Sequence, residues 1–272
     1  MLNILQTEWL KIKKYPAFWW VMGITGLTYP GINYMFLRIY EQLTSKENQS
    51  GNIVRALLGN PFAMPEAWRT VAYFSSLFVF IPAIVVIMLI TNEYTYKTNR
   101  QNIIDGWSRE NFMTGKFIDV LLLSLIITVL YASVTLIIGL TNTTNPTENR
   151  FGLACYIALF LLQSFSQLSL AFLVGFLVRK SFIALAIFVF YYIVLEPIAT
   201  IVLKSKFNSN AGYYLPLEIS HRLLPRPAFF VKLGEKAYQE TLDAVKYHII
   251  YTLLLVIITW VFCFWLNKRR DL

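Results

Sequence analysis

The sequence predicts an all-α integral membrane protein with six transmembrane helices, and three observations predict it. Of 272 residues, 57% are hydrophobic and only 14% are charged, where a soluble domain carries about 25% charged residues. Apolar runs recur at the length a helix needs to cross a hydrocarbon core ~30 Å thick, roughly 20 residues. The polar segments between them alternate between short basic stretches and long stretches that contain acids, as expected of loops on opposite sides of a membrane. The net charge of +9 does not point to nucleic acid, because the basic residues are scattered along the chain and form no basic domain.

The elements follow in chain order as a single transmembrane domain over 1–272. In residues 1–17, Leu2, Leu5, Trp9 and Ile12 share one helical face, and Gln6, Lys11, Lys13 and Lys14 lie elsewhere. This is the pattern of an amphipathic helix lying in the membrane interface, either as a passive anchor or as a functional contact. It is not a cleavable leader: no small-residue cleavage site follows, and the apolar run continues through Tyr29 and Tyr34. The first span, about 18–37, is the weakest, with Gly23, Gly26, Pro30, Gly31 and Asn33. Glycine and proline are nonetheless more frequent in membrane helices than in soluble ones. Five clearer spans lie at about 71–91, 117–140, 151–178, 182–203 and 248–266. A loop at 93–116 joins spans two and three. A long extracytoplasmic segment, 204–247, joins spans five and six and reads as re-entrant or interfacial helical pieces.

Six spans put both termini on one side. Twelve of the 24 basic residues then fall in short segments on that side: Lys11, Lys13, Lys14, Lys97, Arg100, Arg109, Lys116, Arg179, Lys180, Lys268, Arg269 and Arg270. The opposite loops are longer and hold Glu41, Glu47, Glu66, Glu148, Glu218, Glu235, Glu240 and Asp243. The positive-inside bias, counted over short loops, puts both termini in the cytoplasm.

Polar residues inside spans are costly and mark function or interhelical bonding. Gln163, Ser166 and Gln167 form a stripe at i, i+3, i+4 in span four, with Ser164 and Ser169 nearby. They either bond to neighbouring helices or line a translocation path. Glu196, followed by Pro197, is the one acid deep in a span. It sits in a path or broken-helix junction, or at the outer headgroup level. Cys155 and Cys263 lie inside spans four and six and form no disulfide framework. Catalytic and metal-binding patterns are lacking: no HExxH, no GxSxG and no DxD-type cluster. Gly175–Ser181, GFLVRKS, lacks the glycine before Lys-Ser and follows no strand, so it is not a phosphate loop. The chain thus has no ATP site of its own. Glu218 and His221, at i and i+3, are the one pair that suits a lipid-modifying enzyme.

The loop at 93–116 is the most informative stretch. Ile103, Ile104 and Trp107 recur at i, i+1, i+4 among Lys97, Arg100, Arg109 and Lys116, which suits an ordered element that docks a protein or the membrane surface. It resembles the cytoplasmic loop between spans two and three of ABC-2-type permeases, the membrane subunits of one class of ATP-binding-cassette exporters. Glu93, Thr98, Arg100, Ser108-Arg109 and Lys116 match that family's pattern. Lys97 replaces its glycine, and Gly106 lies near the place of its proline. Glu8 and Lys11 ahead of an aromatic-rich span, and the long segment between spans five and six, add to the likeness. The resemblance implies a bacterial inner-membrane exporter in which this permease pairs with a second, identical or different. Each would rest on a separate nucleotide-binding ATPase subunit holding ATP and Mg, driving alternating access. A coupling helix over Lys97–Arg109 would dock through Ile103, Ile104 and Trp107, with Arg100 and Arg109 facing acids of the ATPase and Glu93 tied to Lys97 or Arg100. Gln163, Gln167 and Glu196, with Ser166 beside them, would line the path. The other reading of the same layout is a permease-like subunit of a sensing, immunity, surface-assembly or motility machine that passes ATPase work to a partner without moving a solute.

Overall fold

The computed structural model describes residues 2–44, 59–104, 106–143, 149–207, 209–227 and 235–269. Among them the chain is helical and no strand occurs. Helices α1 (Leu2–Lys13) and α2 (Pro16–Leu43) are followed by α3 (Ala67–Ser76), α4 (Phe80–Thr95) and the short α5 (Thr98–Ile104). Then come α6 (Arg109–Asn142), α7 (Cys155–Val178), α8 (Ser181–Phe190) and α9 (Glu196–Phe207), the last two joined by a π-helical turn over Tyr191–Leu195. A 3-10 turn (Asn210–Tyr214), α10 (Pro216–His221) and the long α11 (Glu235–Arg269) complete the order.

Four helical segments are long and apolar enough to cross a membrane: Arg109–Asn142, Cys155–Val178, Ser181–Phe207 and Tyr238–Arg269. The bent pair α3–α4 makes a fifth if it is one span. Large hydrophobic side chains on these helices stay exposed, Val129, Ile137, Ile193, Ile201, Ile258 and Val261 among them. A surface so apolar marks contact with membrane or partner, so this is a multi-pass membrane protein. The expected first span, 18–37, lies within α2, which carries Pro30, three glycines and Asn33 and is not one of these apolar segments.

Helix α7 is central, packing against α3, α4, α6, α8, α10 and α11. It meets α4 closely through Gly175, where an added Cβ would lie 2.7 Å from Ile90 Cγ2 and 3.4 Å from Ile87 Cα. Such small residues let membrane helices approach backbone to backbone. Cross-links along the chain define two ends of the bundle. At one end the loops are joined by Thr91–Ser181 (2.6 Å) and by Arg109 to the Lys268 carbonyl (2.9 Å). At the other, Asn60 donates to the Asn142 carbonyl and Trp68 Nε1 to the Arg150 carbonyl.

Several elements differ from the sequence expectation, each for a physical reason. The span at 71–91 is two helices meeting at 48°; Pro82 has no N–H to give to Phe78, so the ladder is interrupted there. The helix does not break at Glu196-Pro197. It widens into the π turn Tyr191–Leu195, which accommodates the missing Pro197 N–H. Glu196 is buried against its neighbours, 3% exposed. In α1, Glu8 and Ile12 face inward and Trp9 is exposed; the side chains of Leu2 and Leu5 lie outside the described residues. In the segment 204–247, Gly212 folds against Thr200 of α9, α10 packs on α7 and α11, and α11 begins well before residue 248.

Gly175→Val is expected to destabilise the bundle by about 1–3 kcal/mol through overpacking against α4, seen as a lower thermal midpoint in detergent. Gly26→Ala, where a Cβ meets nothing within 4 Å, serves as a control and leaves the midpoint unchanged.

Candidate functional site

The loop end of the bundle is organised by a cluster of five ionisable side chains from three helices, four of them buried. Lys116, in the first turns of α6, forms ion pairs with Glu8 of α1, with Glu93 Oε1 of α4 (2.9 Å) and with Asp119 Oδ2 (3.3 Å). Lys11 bridges Glu8 (2.9 Å) and Glu93 (3.1 Å) from the solvent side. The side chains of Lys116, Glu8, Glu93 and Asp119 are each 4–6% exposed. Burial pushes the Glu8 carboxyl up, but Lys116 and Lys11 overcome this and hold it at about 2. The sequence reading placed Lys116 and Glu93 in this region. It missed Asp119, counted within an apolar run, although a carboxylate three residues beyond Lys116 lies on the same helix face. Glu93 is not tied to Lys97 or Arg100, which are exposed; its partners are Lys11, Lys116 and the Thr98 hydroxyl (3.0 Å).

From this cluster the loop projects as a helix shorter than expected. It covers Thr98–Ile104 rather than Lys97–Arg109, because the backbone turns left-handed at both ends, at Lys97 (φ 56°) and Gly106 (φ 94°). Lys97 takes a left-handed conformation that costs glycine least and is uncommon for other residues. Ser108 then caps α6, its side chain accepting from the Asn111 N–H. Asn99 and Asn102 face the bundle, Ile103 is half-buried, and Ile104 is 78% exposed with Arg100 beside it. Trp107 and Arg109 turn inward: Lys11 sits over the Trp107 ring at 5.6 Å, and Arg109 donates to the Lys268 carbonyl. The structure thus brings Glu93, Thr98 and Lys116 together and leaves Lys97, Arg100 and Ile104 on the surface.

A second polar group lies inside the bundle. Gln163 Nε2 and Gln167 Nε2 lie 3.3 and 3.4 Å from the two ring nitrogens of His221 on α10. Gln167 Nε2 also donates to Ser220 Oγ (3.3 Å), and Gln167 Oε1 accepts from Tyr192 OH (3.4 Å). Tyr192 also reaches the carbonyl of Ser76 at the α3–α4 bend (3.3 Å). A neutral imidazole has one donor and one acceptor nitrogen, so one glutamine must present its oxygen. Gln163 Oε1 is otherwise unpartnered, which makes Gln163 that residue and puts the imidazole proton on Nδ1. Burial lowers the His221 pKa to about 4. Gln163 and Gln167 therefore bond between elements of the bundle. Ser166 is buried with them, and its hydroxyl has no partner among the described residues. Glu196 accepts the N–H of Glu218 near the start of α10, so it positions that helix. Glu218 and His221 do not converge: the Glu218 carboxylate pairs with Arg222 at 3.2 Å, and His221 faces the glutamines.

Lys116→Met is expected to leave three buried carboxylates with only Lys11 and to cost about 3–5 kcal/mol, measured as a large fall in the thermal midpoint of the purified chain. Acidification has a predictable sign. His221 binds a proton near pH 6.5 when unfolded and near 4 when folded, so its stability contribution is intact above 6.5 and lost as the pH falls towards 4. The contribution of Glu8 is intact above 4.5 and lost between 4.5 and about 2. His221→Gln is therefore expected to make the thermal midpoint less sensitive to acidification between pH 7 and 5 than that of the parent chain.

No curated protein matches the chain. A family model described as "Protein of unknown function (DUF2705)" matches residues 36–272, from the last two turns of α2 through α11 and beyond. The matched region includes Glu93, α5, Lys116, Asp119 and the whole interior group around His221, and excludes α1, with Glu8 and Lys11, and most of α2. The chain belongs to the DUF2705 family.

Proposed function

We propose that this chain is the permease subunit of an ATP-driven exporter of the ABC-2 type. It crosses a bacterial inner membrane six times, with α2 as the first crossing and both termini in the cytoplasm. It pairs with a second permease and rests on separate ATPase subunits that hold ATP and Mg. The observation that carries this reading is the buried cluster at the base of the loop. A loop that only tethered two spans would not need Glu93 and Thr98 bonded to each other, and Glu93 to Lys116. Through these contacts a displacement of α5 reaches α4 directly, α6 through Lys116, and α1 through Glu8. In an apolar surrounding such ion pairs do not slide to new partners without exposing a buried charge, so the three helices move as one body.

On this reading the docking face is Ile104 with Arg100 and Lys97. Tyr96, which precedes Lys97 and is 73% exposed, joins them. An exposed apolar anchor ringed by cations suits a groove with an acidic rim. Trp107 and Arg109 fix the loop from behind, by the Lys11 and Lys268 contacts. Gln163, Ser166, Gln167 and Glu196 are buried within one copy, so they line a path only when α7 and α9 part from α10. ATP-driven closure of the partner subunits supplies that motion through α5.

Ile104→Glu combined with Arg100→Glu is expected to abolish recovery of an ATPase subunit when the tagged chain is extracted in mild detergent. Its own thermal midpoint should stay unchanged, since both side chains are on the surface. Mass spectrometry of the recovered proteins identifies the ATPase by its phosphate-loop sequence. Equal recovery of that ATPase by the variant and the parent chain overturns the coupling assignment.

A further inference from the structure

The outer surface between α6, α7 and α11 carries an apolar groove of 590 Å³ that the coupling assignment does not use. Its floor is aromatic. Phe117 meets Phe165 and Trp260 edge-on, at 5.5 and 4.9 Å between ring centres. Its outer wall is Ile257, Val261 and Trp265, all exposed and all on one face of α11 at four-residue spacing. Lys268 closes one end. From residue 257 to 268 a helix rises about 16 Å, close to half of the ~30 Å hydrocarbon core. The groove is therefore about one leaflet deep, with a cation at the depth where that leaflet meets water.

The charge at this end is strongly biased. Arg269 lies 4.3 Å over the Trp265 ring, at the lip of the groove. Arg109 reaches the same turn through the Lys268 carbonyl. One carboxylate, Glu110, faces Lys268 at 2.7 Å, but both side chains are more than 60% exposed, and such solvated pairs hold weakly. Arg270 and Asp271 follow in the sequence, outside the described residues. Among the described groups, three cations and one acid surround the mouth.

We propose that this groove is a binding site for one anionic glycerophospholipid, with an acyl chain on the Phe117–Trp260 floor and the phosphate at Lys268 and Arg269. The concave aromatic floor takes a flexible chain. The one-leaflet depth matches a lipid, where a second membrane helix would need a track about twice as long. The basic mouth selects an anionic headgroup over a zwitterionic one. The site stands apart from the loop at Thr98–Ile104, and its test does not involve an ATPase.

The test uses the full chain in bilayer nanodiscs, with the exposed Trp9, Trp19 and Trp20 changed to Phe so that lipid quenching is read at Trp260 and Trp265. Dibrominated phosphatidylglycerol is expected to quench tryptophan fluorescence at a lower mole fraction than dibrominated phosphatidylcholine. Lys268→Gln with Arg269→Gln should reduce this preference at least about ten-fold, and Val261→Phe should reduce quenching by both lipids by filling the groove. Native mass spectrometry of the parent chain should show one retained anionic lipid, lost in the Val261→Phe chain. Equal quenching by the two lipids, or a preference that survives the double charge variant, overturns the proposal. Efficient crosslinking between two Val261→Cys chains in intact membranes, with Cys155→Ser in the background, also overturns it and gives the groove to a second copy.

Discussion

Lys116 is the side chain on which the loop end of this protein depends. It lies 3% exposed among three carboxylates that come from α1, α4 and its own helix. A charge in so apolar a setting is tolerated only with partners at close range, so each carboxylate requires the ammonium and the ammonium requires them. That mutual need, with the buried Ile12, fixes the depth and rotation of α1. It also fixes the origin of α5, because Glu93 is shared between Lys116 and Thr98. Geometry at the membrane edge is thus set by electrostatics, and geometry deeper in the bundle by packing, with the Gly175 approach of α7 to α4 the clearest instance.

The interior group around His221 plays the corresponding part further along the bundle. Two irregularities meet there, the bend between α3 and α4 and the π turn before Pro197. Each leaves main-chain carbonyls without their regular helical partners. Tyr192, carried by the π turn, reaches the Ser76 carbonyl at the bend and Gln167 on α7. Glu196, just after the π turn, takes the Glu218 N–H. The defects introduced by proline are thereby joined to one another, and α10 is held against the middle of α7. In a hydrocarbon setting, where water cannot satisfy a stray backbone group, this is the arrangement that allows irregular backbone inside the bundle.

Much of this was legible in the sequence. The apolar runs gave the long helices because a membrane-spanning helix must be continuous in its apolarity, and that is a property of the sequence itself. The stripe Gln163–Ser166–Gln167 was legible as a helix face, and two of its members bond between elements as such stripes do. The bend at Ser76–Phe80 was not read from the run 71–91, although Ser75-Ser76 and Pro82 both lie beside it. Asp119 was hidden as one polar residue in a long apolar stretch. The partners of Glu93 were misassigned to neighbours in the loop, because a pairing across 82 residues of chain, to Lys11, leaves no local signal. The length of α5 depended on a left-handed Lys97, which sequence alone gives no reason to expect.

The origins of the charges around Lys116 also have a consequence for how the protein is made. Glu8 and Glu93 emerge from the ribosome before residue 116, and until then Lys11 is the one member of the cluster that can offset them. The cluster reaches its full set of partners only when α6 arrives. α1 therefore gains its last buried ion pair only when a lysine 108 residues beyond Glu8 has been made.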